Sequence, residues 1–163
     1  VADEVWGKSL SKSLSEDDRF FVEFLRDPVC DAEGVVIDEH PTVYEIVPDL
    51  EGLKKRIEDF QGQYNEAHKI GKLDLVLFID AMKHLMRISR ILGLARGSAL
   101  LVGVGGSGKQ CLTRLSSFIG GCNTFQITIT KHYSAANMLE DLKNLYRMAG
   151  FQGKQVVFIF ANS

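Results

Sequence analysis

The chain has 163 residues, 45% of them hydrophobic and 25% charged, with 15 Gly, 3 Pro and 3 Cys, a balance near the globular average that excludes disordered, collagen-like and coiled-coil readings. No apolar run approaches the roughly 20 residues of a membrane span and no signal-peptide-like stretch opens the chain. Cys30, Cys111 and Cys122 lack CxxC or His spacing and suit a reducing compartment over a disulfide or zinc framework. The net charge of −2 conceals 13 acids against 4 bases in residues 1–50 and 8 against 15 in residues 51–163, and Pro28, Pro41 and Pro48 all lie before that divide.

In chain order, residues 1–27 read as helical: Ser15 and Asp18 resemble a capping box, with Phe20, Phe21, Phe24 and Leu25 on one face. Residues 28–50 are broken by proline and hold two short β-leaning pieces, Val35–Ile37 and Val43–Val47. Leu53, Ile57, Phe60 and Tyr64 then mark a helix ending near Gly71. A second helix carries Leu75, Phe78, Ile79, Met82, Leu85, Met86 and Ile88 inward and Lys83, Arg87 and Arg90 outward, stopping at Gly93.

The period then alternates. Ala99–Val104 is a short apolar run suited to a strand buried on both faces. Gly105–Gly108 turns, and Leu112, Leu115, Phe118 and Ile119 mark a helix that ends at Gly120-Gly121. Thr124–Thr130 alternates as a strand; Leu139, Leu142, Leu145 and Tyr146 mark a helix closed by Gly150; Val156–Phe160 is a second fully apolar strand. Strand, helix, strand, helix, strand with short connections predicts an α/β fold with a parallel sheet and right-handed crossovers. The sequence ends three residues after its last strand, which suggests a piece of something longer.

Eight of the fifteen glycines fall between Gly93 and Gly121. Such a cluster means either a flexible linker or a backbone that must approach something closely. The centre reads Gly103, Val104, Gly105, Gly106, Ser107, Gly108, Lys109, Gln110, which is G-x-x-x-x-G-K between a strand and a helix. Glycines let consecutive N–H groups turn inward around phosphate oxygens. The following helix aims its positive end at the same anion, and Lys109 adds a point charge. These features favour a phosphate cradle, with ATP or ADP as the cofactor.

The metal side departs from that pattern. Ser or Thr normally follows the lysine and ligates Mg²⁺; here Gln110 stands there, its amide oxygen on a longer side chain, and Cys111 after it is a poor Mg²⁺ ligand. An acidic pair is expected after the strand Val156–Phe160, yet Ala161 and Asn162 occupy those positions. Neither can take a proton from water, although Asn162 can hold a water or touch a γ-phosphate. Mg²⁺ is thus weakly supported, no catalytic residue is assigned, and binding is expected with weak or absent hydrolysis. The alternative is a structural element whose loop holds no nucleotide; a free-standing P-loop kinase is disfavoured by the absent acidic tip.

Other candidates are weaker. His40, His68, His84 and His132 are scattered without metal spacing, Lys54-Lys55-Arg56 reads as a solvated helix face, and Cys111 has no adjacent base for a nucleophile's role. No basic stripe interleaved with aromatics points to nucleic acid.

Together, Leu75–Phe78, Ala81, His84–Ile88, Arg96-Gly97, Leu100–Gln110, Leu112–Leu115, Leu139–Lys143, Leu145-Tyr146, Ala149-Gly150, Gly153-Lys154 and Val156–Phe160 resemble the fourth AAA+ module of dynein heavy chains, and Gly-Lys-Gln resembles the axonemal branch. The likeness covers about residues 44–163, and Val5–Phe21 resemble the closing helical part of the preceding module. The resemblance implies residues 1–45 as the end of that preceding module or a linker. It makes residues 46–163 the N-terminal part of a large α/β subdomain, a P-loop NTPase sheet flanked by helices and incomplete here. It further implies a microtubule motor of cilia and flagella whose AAA+ modules form a ring, the first hydrolysing ATP and the fourth regulatory. Its implied partners are the other modules, the microtubule through a stalk, and intermediate and light chains, with no nucleic acid and no membrane, in the cytoplasm, cytoskeleton and axoneme. Gly103, Gly105, Gly106, Gly108, Lys109 and Gln110 would form the phosphate loop. Axonemal relatives typically carry Ser after that glutamine and Thr-Asp after the apolar strand, where this chain has Cys111 and Ala161-Asn162.

Overall fold

The structure, a computed structural model, describes residues 20–38 and 41–161. The Ser15/Asp18 box, His40 and Asn162 therefore lie outside the described residues. Among the described residues, four helices and three two-stranded sheets make an α/β arrangement. In chain order they are β1 (Phe21–Val22), β2 (Val29–Cys30), β3 (Val36–Asp38), β4 (Glu45–Ile46), α1 (Leu50–Ala67), α2 (Ile79–Leu92), α3 (Lys109–Ile119), β5 (Asn123–Gln126), α4 (Ala135–Tyr146) and β6 (Val156–Ile159). A π-helical turn, Arg147–Phe151, extends α4. No described helix is long and apolar enough to cross a membrane.

Helix α1 forms because Leu53, Ile57 and Tyr64 recur on one face and because Asp49 Oδ1 accepts the Gly52 N–H at 2.8 Å, satisfying a free amide of the first turn. Helices α2 and α3 pack along each other, and α1 packs on α3. Their inner faces meet at Ile57, Leu85 and Leu115, all fully buried. Ser116 and Ser117 are buried between them. Ser116 Oγ donates to the Leu85 carbonyl at 3.4 Å and Ser117 Oγ to the Thr113 carbonyl at 2.8 Å, so small residues bring the helices together without unpaired hydroxyls.

Three expectations are corrected here. The described part of the segment 1–27 is not helical. Val22 and Phe24 are buried while Phe21 is exposed, the period of two that follows from pairing β1 antiparallel with β4. Helix α2 starts at Ile79, not near Leu75: in the segment before it Leu73 and Leu77 are buried and Val76 exposed, again a period of two. Phe78 and Ile79 are accordingly exposed, and Lys83, expected outward, is half-buried over the Phe20 ring at 5.6 Å.

The third correction concerns the sheet. β5 and β6 do pair in parallel, Asn123 with Val156 through Gln126 with Ile159, joined by α4 as a crossover. Ala99–Val104, expected as a buried strand, is not one: Leu100 and Val102 are 89% and 88% exposed. A strand needs a neighbour for its N–H and C=O groups, and among the described residues none is paired beside this run. β5 also stops at Gln126, short of the Thr130 expected from the alternation.

Candidate functional site

The loop between the 99–104 run and α3 closes on Lys109. Its ammonium donates to the carbonyl oxygens of Gly103 (2.8 Å) and Val104 (2.6 Å) and to Ser107 Oγ (2.8 Å). Three donors thus meet three acceptors inside one turn of chain. A Cβ at Gly103 would stand 3.2 Å from Ser107 Oγ and 3.4 Å from Lys109 Nζ, so a larger residue there would press on both side chains by a few tenths of an ångström. Gly108 caps α3 in the left-handed region, φ +74°, where other residues are strained.

The loop is also held from below. Asn65 of α1 bonds both backbone groups of Leu73: its Nδ2 donates to the carbonyl at 2.9 Å and its Oδ1 accepts the amide at 2.7 Å. Gln61 Nε2 adds a bond to the same carbonyl at 3.1 Å. Two residues on, Leu75 Cδ2 lies 3.5 Å from where a Gly108 Cβ would be. A chain of contacts therefore runs from α1 through Leu73 and Leu75 to the start of α3.

The site residues expected from sequence fall together as far as they are described. Gly103, Val104, Gly105, Gly106, Ser107, Gly108 and Lys109 form the loop, and Gln110 and Cys111 open α3. Two residues were missed. Arg114 Nη2 donates to Gln126 Oε1 at 2.6 Å, and Gln126 Nε2 donates to Gln110 Oε1 at 3.4 Å. Nothing in the sequence links these positions, because the link is the packing of β5 beside α3.

The loop fits a polyphosphate: open space over Gly105 and Gly106, an ammonium within it, and an eleven-residue helix whose N-terminus opens there. The same residues do not fit Mg²⁺. The Gln110 amide oxygen accepts from Gln126 and Ser107 Oγ accepts from the Lys109 ammonium, so both oxygens are already hydrogen-bonded. Ala161, after β6, has no side-chain oxygen to offer, and among the described residues no group of three His, Cys, Asp or Glu is arranged to hold a metal.

The remaining candidates lie outside the loop. His68 stacks on Tyr64 with ring centroids 4.1 Å apart, while His84 and His132 are exposed. In the basic triplet, Lys54 pairs with Glu58 at 3.7 Å and Lys55 is exposed, but Arg56 turns inward to bond Asp27 and two carbonyls, contrary to a wholly solvated face. A cavity of about 570 Å³ lies away from the loop, lined by Phe24, Arg56, Tyr64, Phe118 and Cys122 among others and by none of residues 103–111.

A family model described as the P-loop containing dynein motor region D4 matches residues 73–163. The chain is 50% identical to mouse dynein axonemal heavy chain 8 over 147 residues, which is 88% of this chain. It is 51% identical over 150 residues to mouse dynein axonemal heavy chain 5, and 46% identical over 150 residues to the dynein gamma chain of the flagellar outer arm of Chlamydomonas reinhardtii, 90% and 91% of this chain respectively. It spans only about 3% of the length of these relatives.

Proposed function

This chain belongs to the axonemal dynein heavy chains, at the D4 region of the motor, and from that premise we propose that its Gly103–Lys109 loop is a regulatory site that holds the phosphates of ATP or ADP with little or no turnover. The observation that carries this is the Lys109 ammonium held inside the glycine-rich turn at the N-terminus of α3. Phosphate oxygens approaching the α3 N-terminus would meet that ammonium and the turned backbone N–H groups. Weak turnover follows from Ala161, which brings no carboxylate to the end of β6 where a water would be activated.

The remaining proposals extend from the same premise. Residues 1–45 are read as the end of a preceding AAA+ module or a linker, and 46–163 as the N-terminal part of a large α/β subdomain. The whole protein would be an ATP-driven microtubule motor of the ciliary and flagellar axoneme, working with its other AAA+ modules and with intermediate and light chains.

A second reading has an observation of its own. All three partners of the Lys109 ammonium belong to the loop, so the turn is self-satisfied, as a purely structural ring element would be. Acylation of Lys109 in the complete heavy chain, read by peptide mass spectrometry, separates the two. If the loop binds nucleotide, ADP or a non-hydrolysable ATP analogue protects Lys109 in a saturable way. Lack of protection by either at millimolar concentration leaves the structural reading.

A further inference from the structure

We infer that Gln126 is a positioning residue that holds the Gln110 carboxamide on β5 and so makes nucleotide affinity at this loop indifferent to Mg²⁺; the inference rests on the nucleotide reading above. The argument begins with what each group can do. A guanidinium only donates, so the Gln126 oxygen must face Arg114, which it does at 2.6 Å. That leaves the Gln126 NH₂ on the other side, where it donates to Gln110 Oε1 at 3.4 Å. Arg114 thereby fixes the orientation of Gln126, and Gln126 fixes that of Gln110.

The placement matters because Gln110 is the second residue of α3, directly after Lys109. Its carbonyl oxygen is the one hard donor that the sequence supplies where a hydroxyl would ligate a metal. With that oxygen turned to β5, and with Ser107 Oγ accepting from the Lys109 ammonium, the groups left to meet the phosphates are N–H donors. Binding then relies on Lys109, backbone N–H groups and the helix end, and none of these needs a cation to be in place.

Gln126→Glu tests this without removing bulk. A carboxylate still accepts from Arg114, but it cannot donate. Gln110 must then turn its own NH₂ toward position 126, which carries its oxygen away from β5. The probe is the non-hydrolysable ATP analogue, and the readout is its half-protecting concentration at Lys109 in the complete heavy chain, with Mg²⁺ and with a chelator. The wild type should show the two values within about threefold, and Gln126→Glu should separate them by about tenfold or more in favour of Mg²⁺. Gln110→Ser, which restores a hydroxyl, should do the same. A wild-type ratio already near tenfold, or a Gln126→Glu ratio equal to the wild type, overturns the inference while leaving the nucleotide reading intact. Absence of protection under both conditions is a different result and removes both.

Discussion

Tyr133 stands just before α4 and donates its phenolic hydrogen to Asp141 Oδ2 at 2.5 Å, reaching along the helix from its N-terminal side. Ser134, the next residue, caps the helix in a reciprocal box with Asn137. Chiefly the bond to Asp141, then burial and the carboxylate's charge, push the Tyr133 pKa from 10 up to about 12. A raised pKa means that the bond's contribution is whole below the ordinary value near 10 and is lost as pH climbs through about 12. The difference in phenolate absorbance between the wild type and Tyr133→Phe should therefore titrate near the upper value, and titration near 10 would show that the bond does not form. At this scale the Gly103–Lys109 turn ahead of α3 was legible in the sequence, because its residues are consecutive and glycine-rich. Gln126 and Arg114 were not, because they are 12 residues apart and meet only once β5 lies beside α3.

Helices α1 and α3 were legible because each carries one apolar face at helical spacing, Leu53, Ile57 and Tyr64 in one and Leu112, Leu115 and Ile119 in the other, and because Gly120 stops α3. The start of α2 was misread because Leu73, Leu75 and Leu77 are apolar for a different reason: they form an alternating segment bound to α1 and lying under the loop. Val102 and its neighbours were read as a strand from apolarity alone, which reports what a segment can bury and not which strand lies beside it. The α1 contact yields a prediction. Asn65→Ala removes both bonds to Leu73, one to its carbonyl and one from its amide, in half-buried surroundings. The local opening free energy should fall by roughly 1–3 kcal/mol. Hydrogen exchange should report it first at the Leu73 amide and next at the 103–109 loop that Leu75 supports. Faster exchange at Leu73 with an unchanged loop would show that the contact does not reach the site.

Across the molecule, the acidic first 50 residues and the basic remainder are joined in part through Arg56, whose guanidinium is shared between charge and backbone. It donates to Asp27 Oδ1 at 2.6 Å, to the Arg26 carbonyl at 2.7 Å and to the Phe24 carbonyl at 3.4 Å, and it lies 4.9 Å over the Phe60 ring. The question is which of these holds the N-terminal segment down on α1. Asp27 is 83% exposed, so its ion pair is screened by solvent and contributes little, about 0–1 kcal/mol. The carbonyl bonds are charge-assisted and tie the guanidinium to the backbone itself, one exposed at Arg26 and one part-buried at Phe24, whose side chain is buried. Asp27→Asn should therefore leave hydrogen exchange over residues 21–27 nearly unchanged, whereas Arg56→Ala should lower its local opening free energy by roughly 1–3 kcal/mol. Arg56→Lys should fall between them, because an ammonium cannot span both carbonyls and the ring as a planar fork does. Raising salt should reproduce the Asp27→Asn result and not the Arg56→Ala result. If Asp27→Asn and high salt both loosen the segment as much as Arg56→Ala, the two halves are joined by their opposite charge rather than by the backbone contacts.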